Sequence, residues 1–392
     1  MSLFDNVVAR NPCCRKYGQR QQMFGTDDIL PLWIADMDFK TPDPILNNLI
    51  SVATQPVQGY NMDFPGWKKS VVEWYRKQYG THLREEWIHF IPGVIKTVVF
   101  TILALSEPGD SILTCTPIYD PYRNLVPGCG RKLIQSRLLE KNGSYEFDWH
   151  DFRKKLKVST MFLLVSPHNP GGVVWDRHTL TKIKRYCHEE GVVVVSDEVH
   201  CDLTLDGKYH LPFFALNDAT DSQSIVLTSI GKAFNAPGVQ GGIMIVKDTR
   251  LRDTLFGFLD NCHLAETNYS QQAAIYSAYT ECDGWYQQLL SYLSANVHYA
   301  KEEIERSCPN ISVIYGGASY LLFLNAEKMG LSDEDLASFF INDARLGLSP
   351  GTQYGIGGEG HMRLNVGCPR AVLTEAMERL KAAYSRHYSE SK

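Results

Sequence analysis

Residues 161–200, MFLLVSPHNPGGVVWDRHTLTKIKRYCHEEGVVVVSDEVH, read as a strand, a loop, a helix and a second strand. Met161–Val165 and Val192–Ser196 are short apolar runs without polar alternation, as expected of strands covered on both faces. Between them, Leu180–Glu190 places its apolar residues at helical spacing. Two buried strands joined through a helix form a βαβ unit, and the strands of such a unit lie parallel.

Working outward, the same alternation continues from about Trp67 to Val246. Helical patterns at Trp67–Tyr79 and Val94–Leu105, with strand patterns at Ser111–Cys115 and Ile225–Ser229, extend the unit into a mostly parallel sheet sandwiched by helices. Trp285–Arg306 reads as one long amphipathic helix. Beyond it come shorter strands, a helix capped by Ser332 and a last helix near Ala371–Tyr384. The expected fold class is α/β, with a large domain over 46–285, a smaller α+β domain over 286–392, and an N-terminal segment, 1–45, packing with the small domain. No repeat, low-complexity tract or Gly/Ser linker interrupts the chain, so these units should pack closely.

With 392 residues, 44% of them hydrophobic, the chain can bury a large core. A formal net charge of -5 and the lack of a Lys/Arg cluster argue against nucleic acid as a partner. The apolar run Val94–Leu105 carries Lys96 and falls short of the roughly 20 residues that span a bilayer, which argues against a membrane. The ten cysteines show neither CxxC pairs nor zinc-type histidine spacing. They read as reduced thiols with no metal site, and the opening residues, with Asp5 and Arg10 but no apolar signal core, read as those of a cytoplasmic protein.

Three strand patterns end in polar residues: Ser166-Pro-His-Asn-Pro-Gly-Gly172, Asp197-Glu-Val-His200 and Ser229-Ile-Gly-Lys232. Open α/β sheets bind ligands at these carboxyl ends, which makes Asn169, Asp197 and Lys232 candidates for one site. One chemistry uses them together: an aldehyde cofactor that forms an imine with a lysine amine and needs an anion beside its pyridine nitrogen. That anion keeps the ring protonated, and the ring then withdraws electrons from a substrate's α-carbon. Taken singly, Lys232 also reads as a solvated lysine, Asp197 as a turn or helix cap, and Asn169 as a turn former before Pro170.

The blocks around these residues carry a resemblance. LPLWIADMDF (Leu30–Phe39), GYN (Gly59–Asn61), TPIYDPY (Thr116–Tyr122), SPHNPGG, SDEVHCDL (Ser196–Leu203), TSIGKAFNAPGV (Thr228–Val239) and HMRLNVGCPR (His361–Arg370) together span essentially the whole chain. The sequence resembles the fold-type-I pyridoxal 5'-phosphate (PLP) enzymes of the class I/II aminotransferase superfamily, and within them the MalY/PatB-type cystathionine β-lyases, or carbon-sulfur lyases. WIADMDF, DEVHCD and HMRLNVGCPR are the specific blocks, whereas NPGG and a lysine are shared with many aminotransferases.

The resemblance implies Lys232 as the Schiff-base lysine, Asp197 on the pyridine nitrogen and Asn169 on the ring 3-oxygen. By the same resemblance Tyr119 is the aromatic that stacks on the pyridine face, and His200, at a position where related enzymes often place a tyrosine near the ring oxygen, is a candidate to tune it. Gly93, Val94 and Ile95 open a predicted helix whose amides, with Ser229, take the phosphate. Tyr60 resembles a tyrosine that reaches the phosphate of a neighbouring subunit, which implies a homodimer with shared active sites. Arg363 is the candidate clamp for the α-carboxylate of an amino-acid substrate. The plainer alternatives are packed core tyrosines for Tyr119 and Tyr60, a satisfied core histidine for His200, a surface salt bridge for Arg363 and an ordinary helix start at Gly93.

The chain departs from the wider superfamily at two points. Gln240 stands eight positions after Lys232, where many aminotransferases of this fold carry a phosphate-binding arginine, and Gly231 precedes the lysine where serine is common. The activity implied is α,β-elimination from L-cystathionine or related S-substituted cysteines to pyruvate, ammonia and a thiol. An aminotransferase and a PLP-binding regulatory protein are the alternatives.

Overall fold

A computed structural model describes residues 2–216 and 223–390. Among the described residues eight strands form the large sheet, in the spatial order Ile88–Ile91, Gly242–Ile245, Ser224–Thr228, Val193–Asp197, Met161–Val165, Ser111–Thr116, Lys132–Lys141 and Ser144–Phe147. From Ser224–Thr228 to Lys132–Lys141 all neighbours are parallel. The pairings toward the two edges are antiparallel. The expected mostly parallel sheet is present, and its strands Met161–Val165 and Ser224–Thr228 are buried along their whole length.

The antiparallel edges were not read from the sequence. Ile88–Ile91 and Gly242–Ile245 are only four residues each, too short to show a period. Lys132–Lys141 buries only Ser136 and Leu138 and carries charges among its exposed side chains, as a strand near an open edge does. Two predicted strands shift by one residue. The Val192–Ser196 pattern is realised as Val193–Asp197, because Asp197 still pairs with Leu227 and so closes the strand instead of following it. The Ile225–Ser229 pattern is realised as Ser224–Thr228, which puts Ser229 in the loop.

Helices follow the pattern closely. Trp67–Tyr79 and Val94–Leu105 form at the predicted bounds. The helix predicted from Leu180 starts at Arg177, since Asp176 caps it by accepting from the Thr179 amide. The long helix runs Asp283–Ser307, Ser332 caps Asp333–Ser338, and the last helix runs Arg370–Glu390. Among the described residues no helix is long and apolar enough to cross a membrane.

A second sheet, with four antiparallel strands, is built from Ser312–Ile314, Leu321–Asn325, His361–Asn365 and Ser349–Pro350. The N-terminal segment joins this end of the molecule: Leu30–Pro31 pairs in parallel with Leu346–Gly347. Its charges are unusually buried. Lys16 is fully buried, with its ammonium 2.9 Å from Asp38, and Arg10 bonds to both Asp36 and Asp38. Removing one member of such a group strands the rest at a cost of about 3–5 kcal/mol. The network therefore holds firmly the WIADMDF segment, whose Ala35 carbonyl meets Lys232.

Candidate active site

Register explains why residues distant in sequence meet. Val165 pairs with Asp197, and Asp197 pairs with Leu227, so three parallel strands end level. The loops leaving those ends carry Asn169, Asp197 to His200, and Ser229 to Lys232. Together with Tyr119 and the helix start Gly93-Val94-Ile95, they line one cavity of about 270 Å³. Nine of the eleven residues singled out in the sequence thus share a single wall.

Asp197 is buried, accepting from the Tyr122 hydroxyl at 2.5 Å and the Val199 amide at 3.1 Å. Burial pushes its carboxyl above the ordinary range, while Tyr122, the Val199 amide and Lys232 pull the other way. It does serve as a turn acceptor, as the plainer reading had it, but two hydrogen bonds and one nearby lysine leave a buried anion short of compensation.

Lys232 is half-buried and donates from Nζ to the Ala35 carbonyl at 2.6 Å, so it is not a solvated lysine. Desolvation, then the nearby Arg363 charge, lowers its ammonium from 10.5 to about 8, against the opposing pull of Asp36 and Asp197. A larger share of free amine is present near neutrality than in an ordinary lysine.

His200 is 2% exposed, and neither ring nitrogen has a hydrogen-bond partner among the described residues. Burial, then Lys232 and Arg363, hold its pKa well below the usual value, so the ring is neutral and offers one donor and one acceptor. A satisfied core histidine is excluded. Two orphaned nitrogens in a cavity wall mark a place for a polar occupant.

Arg363 approaches the cavity from the small sheet. Its guanidinium donates to Asn169 Oδ1 at 3.2 Å and to the Trp33 carbonyl at 2.9 Å, and lies 5.0 Å from the Tyr354 ring. It is buried, and its Nε is unpartnered. A surface salt bridge is therefore excluded.

At the other end, the Val94–Leu105 helix opens at Gly93 with φ 135°, a backbone conformation that side-chain-bearing residues rarely adopt. No side chain caps this start and no acid lies in its first turn, which leaves amide donors and positive potential facing the cavity. Tyr119 is half-buried at the wall, edge-on to Tyr122 at 5.8 Å. Tyr60 is fully exposed and lies outside this cavity, so the packed-tyrosine alternative fails for it.

Sequence reasoning missed the residues that hold these groups in place. Tyr122 is one; its place three residues after Tyr119, at a helix start, was the available signal. Two asparagines staple WIADMDF over the site: Asn235 exchanges hydrogen bonds with the Met37 backbone, and Asn365 donates to the carbonyls of Ile34 and Asp36. That is why WIADMDF, AFN and HMRLN occur together: one segment is pinned by side chains of the other two.

The cavity can supply a poised amine, a buried anion across from it, a neutral imidazole and an anion-binding helix start. Those groups fit PLP at its aldehyde, ring nitrogen, ring oxygen and phosphate respectively. On this sheet, they define the fold-type-I architecture of PLP-dependent enzymes. The chain belongs to the aminotransferase class I and II family, whose model matches residues 28–380. It is 36% identical to cystathionine beta-lyase PatB of Bacillus subtilis over 372 residues, covering 94% of this chain and 96% of that protein. A PLP-bound putative aminotransferase from Clostridium difficile superposes with a TM-score of 0.93 at 31% identity, covering 97% of this chain and 99% of that one. The PLP-bound C-S lyase of Staphylococcus hominis gives 0.89 at 27% identity, covering 98% and 99%.

Proposed function

We propose that this chain is a PLP-dependent carbon-sulfur β-lyase that cleaves L-cystathionine or related S-substituted cysteines to pyruvate, ammonia and a thiol. The observation that carries the reading is the single cavity joining Lys232, Asp197 and the unpartnered His200, in a chain 36% identical to a cystathionine beta-lyase. Bound PLP supplies an electron-withdrawing ring that takes up the pair released when the substrate's α-C–H bond breaks.

The chain's own residues do the rest. Arg363 holds the substrate carboxylate by a two-pronged hydrogen bond and so sets which bond at the α-carbon faces the ring. Lys232 Nζ, steadied by the Ala35 carbonyl, takes the α-proton. Asp197, fixed by Tyr122 and the Val199 amide, keeps a negative charge at the far end. Asn169, already bonded to Arg363, couples the carboxylate clamp to the cofactor edge. The pair left by the α-proton then forms the α,β double bond as the β-carbon–sulfur bond breaks, the thiolate leaves with that bond's pair, and water hydrolyses the released aminoacrylate to pyruvate and ammonia.

The domain division at 46–285 and 286–392 belongs to this proposal, supported by two separate sheets and by Arg363 reaching across to Asn169. So does a homodimer with shared sites. Tyr60 and Met62 stand fully or almost fully exposed beside Val57, apolar groups that a second copy would cover. Action in the cytoplasm is supported by ten unpaired cysteines.

The second reading is an aminotransferase, favoured by the family model and by the Clostridium difficile neighbour. Purified protein incubated with L-cystathionine tests the choice. The lyase releases pyruvate, ammonia and homocysteine in equal amounts with no keto acid added. Absence of thiol release, together with rapid amine exchange once a keto acid is supplied, replaces the lyase with the aminotransferase.

A further inference from the structure

Lys96 sits on the first turn of the Val94–Leu105 helix and donates from Nζ to Gln240 Oε1 at 3.3 Å, across 144 positions of sequence. Both residues line the same cavity as Lys232, and among the described residues Lys96 and Lys232 are the two cations in its wall. Lys232 is committed to the aldehyde end. Lys96 is thus left to face an anion at the helix start, where the uncapped amides already favour negative charge. An ammonium only donates, so the Gln240 oxygen must face it, and both N–H groups of the carboxamide remain for an acceptor. His200, deep in the same cavity with both nitrogens unpartnered, independently marks that cavity as shaped around a polar ligand.

We propose that Lys96 and Gln240 act together as a phosphate clasp, supplying at the cavity mouth the charge and the donors that an arginine at position 240 would combine in one side chain. The inference rests on the PLP reading above. Lys96 is exposed, so its share is modest and falls with added salt, and the helix amides carry the remainder.

Cofactor-free protein equilibrated separately with PLP and with pyridoxal, which lacks the phosphate, tests the clasp by dissociation constants rather than turnover. Lys96→Gln should weaken PLP binding about two- to fivefold at low salt and leave pyridoxal unchanged. The difference should shrink as salt is raised. Lys96→Arg should keep the parent affinity, and Gln240→Arg added to Lys96→Gln should restore it. An equal loss for both ligands, or no loss for either, overturns the clasp while leaving the PLP reading intact. A parent protein that binds PLP no better than pyridoxal overturns the phosphate-end assignment itself, and the clasp with it.

Discussion

Replacing Asp197 by asparagine should move stability and catalysis in opposite directions. The side chain is 4% exposed, is held by the Tyr122 hydroxyl and the Val199 amide, and has Lys232 as its nearby cation. Asparagine keeps the shape and an acceptor oxygen but removes the charge. Because burial raises the Asp197 pKa in the fold, the folded chain holds that proton more tightly than the unfolded chain. The group is therefore neutral in sign at low pH and increasingly costly as pH rises through its folded value. At pH 7 the cofactor-free Asp197→Asn protein should be at least as stable as the parent. Turnover should fall, since depriving a buried cation of its anion costs about 3–5 kcal/mol. At about 1.4 kcal/mol per decade, that is a loss of about 10² to 10⁴ in kcat at saturating PLP. Thermal unfolding of the cofactor-free protein and thiol release by the loaded protein measure the two effects. A kcat within tenfold of the parent, or a cofactor-free variant melting several degrees lower, would refute the assignment of Asp197 as a charge kept for the cofactor.

Three further outcomes follow from the same geometry. With the Lys232 ammonium lowered to about 8, the rate at which cofactor-free protein develops the visible PLP band should climb with unit slope to about pH 8 and then level. A climb continuing toward the ordinary lysine range rejects the depressed value. Arg363→Lys keeps the charge but loses the fork and the contact with Asn169 at 3.2 Å, so KM should rise by about tenfold or more while PLP affinity changes little. Steady-state kinetics beside a PLP titration decide it, and an unchanged KM removes Arg363 from the substrate site. Mixing inactive Tyr60→Ala and Lys232→Ala proteins should restore part of the activity through hybrid dimers, provided subunits exchange; a parent protein that is fully active as a monomer ends the shared-site proposal.

Much of this protein is legible in its sequence. Buried runs such as MFLLV and VVVVS, separated by a helical period, specify parallel strands because burial on both faces and helix periodicity are local consequences of residue type. The strand-end positions of Asn169, Asp197 and Lys232 follow from the same rules, and all three do line one cavity. Tertiary structure alone decided what closes that cavity and what tunes it. The Ala35 carbonyl on Lys232, Tyr122 on Asp197, Arg363 on Asn169 across 194 positions, and Lys96 on Gln240 are contacts between segments with no shared period. It likewise separated His200, buried without a partner, from the satisfied core histidine that the sequence allowed, and Tyr60, fully exposed, from a packed tyrosine. Local pattern reports which face of an element is buried, whereas the partner that meets a polar side chain there is set by chain packing at long range, and only the folded chain brings that partner into view.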